Sequence, residues 1–206
     1  MANHKTAVDA VIFDVGWVLM RLDYTALINF LRDQGAQLST MAEAVAAIEL
    51  EAHETGLLAG DGLLKNLAAL SPQAHVDLIE LERHWVEMFE PVPEMFDLAR
   101  RLRGRYRVYL LSNVGDLHWR RLTQYHGLLT IGHGALPSFE AGVMKPHAGI
   151  YREAERRFQL DPSRTVFIDD LAINVAGARQ CGWHAIQHED PTSTIAKLQV
   201  FGVKCD

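Results

Sequence analysis

The run Ala10-Val11-Ile12-Phe13 is apolar at every position and then meets Asp14 and Gly16, within a longer apolar stretch that continues to Leu19. An alternating pattern would mark a strand with one wet face. An unbroken run marks a strand covered on both faces, the situation inside a parallel sheet. Parallel strands need crossover connections, which helices usually supply. The run therefore predicts an α/β sheet with helices on both sides and Asp14 at the carboxyl end of a strand, where open sheets of this kind bind ligands. A strand ending in a turn-forming Asp, with a glycine two places on, is the competing reading of this segment alone.

From Glu94 onward, helix and strand patterns alternate. Strands are expected over Tyr106–Leu111, Leu129–Ala135, Thr165–Ile168 and Trp183–Gln187, and helices over Met95–Leu102, Leu117–Tyr125, Ala148–Phe158 and Ile173–Gln180, with a short surface tail. Between Tyr24 and Phe89 the periods are helical only. A first helix stops at Gly35, and a second begins near the Ser39/Thr40 cap and runs through Met41, Val45, Ile48 and Glu49. Thr55-Gly56 and Gly60-Asp61-Gly62 read as breaks, followed by helices over Leu63–Leu70 and Pro72–Met88, before Pro91-Val92-Pro93 returns the chain. The expected organisation is a doubly wound, Rossmann-like parallel sheet from residues 1–21 and 91–206, with an all-helical insertion over 22–90.

A chain of 206 residues can bury a full core. Its net charge of -6, without a Lys/Arg cluster, argues against a nucleic-acid partner, because phosphate-backbone binding needs concentrated positive charge. No apolar run approaches membrane-spanning length, and Met1–Thr6 leads into the first strand without a signal-peptide core, so no membrane association and a cytoplasmic location are expected. Cys181 and Cys205 lack CxxC spacing and read as reduced thiols. The ten histidines show no HExxH pattern; His4, His75, His126 and His188 read as surface or satisfied polar residues, and no zinc is expected. Oligomeric state is left open.

Three strands end in polar residues: Asp14, Ser112-Asn113 and Asp169-Asp170. In a parallel sheet these ends meet at one edge, with Lys145 nearby at the start of a helix. A carboxylate nucleophile, a hydroxyl with backbone N–H donors, a cation and an acidic pair suit phosphoryl transfer to an aspartate. Clustered carboxylates repel unless a cation sits among them, and hard oxygen ligands favour Mg²⁺.

In order along the chain, Phe13-Asp14-Val15-Gly16, Leu111-Ser112-Asn113, Lys145-Pro146, and Phe167-Ile168-Asp169-Asp170 through Asn174 resemble the four motifs of the haloacid dehalogenase-like hydrolase superfamily. Each motif is short, but together they span nearly the whole chain, each at a strand end or helix start. The resemblance implies a helical cap inserted after the first motif, where the 22–90 segment lies. It also implies a phosphatase that hydrolyses a small phosphorylated metabolite, a sugar phosphate among the candidates, through an aspartyl-phosphate. Carried over by position, Asp14 is the nucleophile, Ser112 and the Asn113 N–H hold the phosphoryl oxygens, and Lys145 neutralises charge. Asp170 is the direct Mg²⁺ ligand beside Asp14 and the Gly16 carbonyl, Asp169 holds a metal-bound water, and Asn174 steadies the acidic loop.

One position departs from the commonest pattern. A second Asp usually follows the nucleophile by two residues, and here Gly16 stands there. Losing that general acid and base costs roughly 10²–10⁴ in rate for poor leaving groups. A 2-haloacid dehalogenase, in which Asp14 attacks carbon and the halide leaves unprotonated, also lacks the second Asp but typically lacks the acidic pair. A catalytically silent binding protein on the same scaffold is the third reading. Trp17, directly after Gly16, is placed either to stack on substrate or to pack in the core. His53-Glu54-Thr55-Gly56 resembles the cap turn that reaches over the catalytic loop, which makes His53 and Glu54 candidates for substrate contact.

Overall fold

The computed structural model describes residues 7–38 and 40–206. In chain order the elements are β1 (Ala10–Phe13), β2 (Met20–Leu22), α1 (Thr25–Asp33), α2 (Met41–Ala47), α3 (Leu50–Glu54), α4 (Gly60–Ala68), α5 (Leu78–Val86), β3 (Phe89–Pro91), α6 (Pro93–Arg103) and β4 (Arg107–Ser112). They continue as α7 (Asp116–Tyr125), β5 (Gly134–Pro137), α8 (Ser138–Ala141), α9 (Ala148–Phe158), β6 (Thr165–Asp169), α10 (Ala172–Gln180), β7 (His184–Gln187) and α11 (Pro191–Val200). Five strands form one parallel sheet in the order β5-β4-β1-β6-β7, with β1 at its centre.

The pleat sorts each strand onto two faces. Val11 and Phe13 of β1 join Val108, Leu110, Val166 and Ile168 in one apolar cluster. Ala10 and Ile12 join Leu111, Phe167, Tyr151 and Trp183 in the other. Both faces are covered, as the unbroken apolar run requires. In register, Phe13 lies opposite Leu110 on one side and Ile168 on the other, so Asp14, Ser112 and Asp169 emerge at one edge.

Helices α1 to α5 lie between β2 and β3, which pair antiparallel where the chain leaves and re-enters the sheet region. Met20 faces Pro91 and Leu22 faces Phe89. The insertion shares its core with the sheet, since Leu27, Leu31, Leu63, Leu67, Leu81 and Trp85 belong to the cluster that contains Val11 and Phe13.

Several boundaries differ from the sequence reading. The apolar stretch past Asp14 is a buried turn rather than strand, with Val15, Val18 and Leu19 almost fully enclosed. The second helix is divided: Thr40 and Glu43 form a capping box at the start of α2, and α3 starts afresh at Leu50, while Ser39 lies outside the described residues. Gly60 and Gly62 do not break a helix but lie inside α4; a Cβ on Gly60 would come within 2.5 Å of Leu117, so glycine there lets α4 approach α7. The helix expected from Pro72 starts only at Leu78, where the Asp77 carboxylate accepts from the N–H groups of Ile79 and Glu80. The weak strand lies later than expected, at Gly134–Pro137, because Leu128–Thr130 form a 3₁₀ turn. The tail is a helix rather than a surface strip: Asp190 caps α11, and Leu198 and Val203 are buried.

Candidate active site

Asp14 follows β1, and its backbone N–H donates to the Ile168 carbonyl at 2.8 Å, which ties the loop after β1 to β6. The Lys145 ammonium lies between two carboxylates, with Nζ 2.8 Å from Asp14 Oδ1 and 2.7 Å from Asp169 Oδ2, and all three residues are buried. Asp169 is fully enclosed and accepts hydrogen bonds from Lys145, the Leu171 N–H and the Asn174 side-chain amide. Asn174 thus braces the acidic loop.

Asp14, Asp169 and Asp170 each offer an oxygen within 4.8 Å of the others. Burial, with the Asp169 charge, pushes Asp14 well above the usual carboxylate range against the opposing pull of Lys145. Burial and Asp169 raise Asp170 as well. For Lys145, burial opposes the charge, but Asp14 and Asp169 outweigh it and hold the ammonium protonated. One cation among three carboxylates leaves negative charge uncompensated, and these oxygen donors fit a divalent ion. Asp14 and Asp170 offer oxygens to it, while Asp169 is already engaged by Lys145, Leu171 and Asn174.

Ser112 ends β4 beside this cluster and is almost fully buried. The Asn113 side chain is taken up by the Lys145 backbone. Its amide donates to the Lys145 carbonyl at 2.9 Å, and its oxygen accepts from the Lys145 N–H at 2.8 Å, so Asn113 clamps the Lys145 loop to β4.

The insertion closes one side of the site. A cavity of about 110 Å³ is lined by Val15, Gly16, Ser112 and Asn113 from the sheet edge, by Glu54 from α3, and by an apolar wall that includes Leu22, Tyr24, Val45, Trp85, Phe89 and Leu122. His118 also lines it, with Nε2 2.8 Å from the Trp85 carbonyl and its ring stacked on the Trp85 indole. A wider hollow of about 650 Å³, bounded by Gly35, Gln37, Glu43 and Pro72, holds none of the acidic cluster.

The other predicted contacts divide. Glu54 lines the cavity, and burial pushes its carboxyl up to about 7 despite Lys145. His53 does not line it. Its buried ring packs on Gly115, with Nδ1 3.0 Å from the Leu58 carbonyl and Nε2 3.6 Å from Asp116. Trp17 also lies outside the cavity wall and is half exposed, which corrects the core-packing reading; its backbone sits in the left-handed region at φ 57°. Strain of that kind in a residue without glycine's freedom is typical of active-site turns. His75 is exposed and His188 is buried against Thr194, whereas His4 lies outside the described residues.

Ser138, Tyr24 and Trp85 escape a reading from sequence, and His118, which with Trp119 reads as a helix neighbour rather than a ligand, lines the cavity. Ser138 alone carried a usable signal, since it follows a strand as Ser112 does. Misplacing β5 hid it.

The family model for haloacid dehalogenase-like hydrolases matches residues 8–182. The chain is 23% identical over 195 residues to a sesquiterpene phosphatase of Aspergillus oryzae, covering 94% of this chain and 96% of the relative. It is 25% identical over 209 residues to a D-ribitol-5-phosphate phosphatase of Bacteroides thetaiotaomicron, covering 93% and 97%. A crystal structure of a family enzyme from Bacteroides thetaiotaomicron, in complex with magnesium and inorganic phosphate, superposes with a TM-score of 0.78 at 23% identity, covering 89% of this chain and 95% of that one. A family match of that extent, running through the strands that deliver Asp14, Ser112 and Asp169, makes this chain a member of the haloacid dehalogenase-like hydrolases.

Proposed function

We propose that the protein is a Mg²⁺-dependent phosphatase that hydrolyses a small phosphomonoester through an aspartyl-phosphate on Asp14, with α1 to α5 acting as its cap. The observation that carries this reading is the Lys145 ammonium held between Asp14 and Asp169, with Asp170 in the same cluster. Mg²⁺ held by Asp14, Asp170 and the Gly16 carbonyl would neutralise phosphate charge and keep the acidic groups ionised. The Asp14 carboxylate attacks phosphorus, the ester oxygen departs, and water then releases phosphate from Asp14. Lys145 and the Ser112 hydroxyl, with the Asn113 N–H, hold the phosphoryl oxygens through both steps. Asp169 positions Lys145 rather than serving as the primary metal ligand. The acidic pair weighs against a dehalogenase, which needs no metal, and the intact Asp14, Ser112, Lys145 and Asp170 weigh against a silent binding protein.

The lining of the cavity favours an apolar leaving group over a polyol or sugar. Leu22, Val45, Trp85, Phe89 and Leu122 offer no hydrogen-bonding side chains for a row of hydroxyls apart from the Trp85 indole N–H, and the polar groups of the lining are confined to Tyr24, Glu54, Ser112, Asn113 and His118. A buried hydroxyl without a partner costs about 1–3 kcal/mol. Exposed Trp17, Leu57 and Leu171, on the loops that adjoin Gly16, Gly56 and Asp170, and Ile173 in the first turn of α10 extend the apolar character to the surroundings of the site. The relatives divide on this point, one being named for a sesquiterpene and the other for ribitol 5-phosphate. A cavity this narrow admits a group on the order of one aromatic ring.

The test is phosphate release from aryl, short branched alkyl, polyol and sugar phosphates, with Mg²⁺ and with EDTA, run beside halide release from short 2-haloacids. Aryl and branched alkyl phosphates should be preferred by ten-fold or more in kcat/KM, activity should vanish in EDTA, and Asp14→Asn should abolish it in a folded protein. Halide release, or full turnover in chelator, would overturn the reading.

A further inference from the structure

Residue 16 brings no side chain to the chemistry, and the structure shows what lies around that gap. Gly16 is not among the glycines with positive φ, and a Cβ built on it meets only Leu22, at 3.7 Å. A β-carbon there meets no steric obstacle. Glu54, the last residue of α3, lines the same cavity as Gly16. It is half-buried, and no hydrogen bond or ion pair engages its carboxyl among the described residues.

Burying a carboxyl without a partner is unfavourable, and such groups are uncommon away from functional sites. The surrounding structure fixes this one firmly. The Ser138 hydroxyl donates to the Glu54 carbonyl at 2.6 Å and accepts from the Val114 N–H at 2.9 Å, so one side chain joins the end of α3 to the loop that follows Ser112 and Asn113. At Gly56, whose φ is 76°, a Cβ would come within 2.5 Å of the Phe139 carbonyl oxygen, so the turn after Glu54 presses directly on the sheet domain's backbone. His53 adds a third tie through its packing on Gly115 and its Nε2 3.6 Å from Asp116. The insertion thus holds Glu54 over the catalytic loop by contacts to the sheet edge itself.

We infer that Glu54 is the general acid and base of the reaction, reaching in from the insertion to do what residue 16 cannot. This deepens the phosphatase reading and rests on it. In the first step an Asp14 oxygen bonds to phosphorus, the bond from phosphorus to the ester oxygen breaks, and that oxygen takes the Glu54 carboxyl proton as the alcohol leaves. In the second step water attacks phosphorus, its proton passes to the Glu54 carboxylate, and the bond to Asp14 breaks with its electron pair returning to the Asp14 carboxylate. Inorganic phosphate leaves, and Glu54 is again protonated.

The groups facing Glu54 agree with that cycle. Tyr24 ahead of α1 and His118 on α7 line the cavity with Glu54, and Lys145 at the sheet edge and Glu51 on its own helix act on its charge. Glu51 disfavours charge on Glu54 and Lys145 favours it, while burial is the largest influence and keeps the carboxyl protonated to about pH 7. His118 is held neutral by burial and offers no competing charge.

The experiment compares wild type, Glu54→Gln and Glu54→Gln with Gly16→Asp on an alkyl phosphate and on 4-nitrophenyl phosphate, whose leaving group needs no proton. In Glu54→Gln, kcat/KM on the alkyl ester should fall about 10²–10³-fold and the aryl ester's much less. The aryl ester should then show a burst with phosphate retained on Asp14, because the second step has lost its base. Wild-type kcat/KM on the alkyl ester should decline above pH 7, and that limb should be absent from Glu54→Gln. Adding Gly16→Asp should restore at least ten-fold of the alkyl rate. A wild type without turnover or phosphate label on Asp14 would refute the phosphatase reading. A normal wild type with equal loss on both esters and an unmoved pH limb in Glu54→Gln would refute the inference alone. The wild type also gives a check independent of any variant's folding: a shallow dependence of kcat/KM on leaving-group pKa is expected, and a steep one would refute proton donation by Glu54.

Discussion

Asp169 and Asp170 are neighbours in sequence with opposite surroundings. Asp169 is fully enclosed, with Lys145, Asn174 and the Leu171 N–H all donating to it, whereas Asp170 is part exposed and faces the acidic cluster. Removing one partner of a buried, hydrogen-bonded ion pair strands the others, so Asp169→Ala should lower stability by about 3 kcal/mol in urea denaturation. Asp170→Ala should change stability by less than about 1 kcal/mol and instead abolish Mg²⁺-dependent turnover. Equal stability losses in the two variants would show that the two carboxylates share one role. His118 leads to a pH prediction. Burial lowers its folded pKa to about 4, below the roughly 6.5 of an unfolded histidine, so between those values the unfolded chain binds the extra proton. Stability is therefore undiminished above about pH 6.5 and falls as pH drops toward 4, by on the order of 3 kcal/mol in all. His118→Gln should flatten that part of the urea midpoint against pH, and an unchanged slope would assign the acid sensitivity to other groups.

At the scale of elements, the turn after α3 transmits the sheet edge's geometry to the insertion. Ser138→Ala would leave the Val114 N–H and the Glu54 carbonyl without their shared partner, at a cost of about 1–3 kcal/mol. Gly56→Ala adds a clash with Phe139 to a backbone conformation that alanine resists, and should cost about 2 kcal/mol or more. Both variants should lower kcat on alkyl phosphates more than on 4-nitrophenyl phosphate, because Glu54 is what they displace; equal loss on the two would place the turn's contribution elsewhere. These ties mark the limit of what the sequence disclosed. The strands β1, β4 and β6 were legible because a strand buried on both faces has one apolar pattern, and the polar residues at their ends were legible because parallel register brings strand ends together. The start of α5 was not, since Ser71-Pro72 is a sound helix start locally and only the folded chain shows Asp77 taking that place. Gly60 reads as a break because its reason lies in the approach of α4 to α7, not in the local chain, while Gly62 makes room for Leu58 just ahead of the helix. Glu54 could be suspected from its turn, but its burial and its tie to Ser138, 84 residues away, could not.

For the molecule as a whole, the continuity of the apolar core decides how the insertion behaves. The cluster under β1 passes from Val11 and Phe13 through Leu19 and Met20 into Leu27, Leu63, Leu81 and Trp85, so detaching α1 to α5 would expose the core of the sheet. Two folding units would need separate cores, and on this side of the sheet there is one. Unfolding should therefore be a single cooperative transition despite the chain's length. Tryptophan positions allow a direct measurement: Trp85 lies in α5, and Trp183 lies in the opposite cluster with Tyr151 and Phe167. Variants that keep only Trp85 or only Trp183, with the other tryptophans changed to Phe, should each show urea transitions by fluorescence and by far-UV circular dichroism that coincide within that variant. A Trp85 transition at lower urea than its own circular dichroism would show that the insertion opens alone. Mg²⁺ extends the test, because Asp14 follows β1 and Asp170 follows β6, so binding reports on the sheet rather than on the insertion. At a hundred times its dissociation constant the ion should stabilise the native state by about 2.7 kcal/mol. In a cooperative molecule that gain raises the midpoint of the distant Trp85 as much as that of Trp183, whereas an insertion that unfolds by itself would leave the Trp85 midpoint where it was.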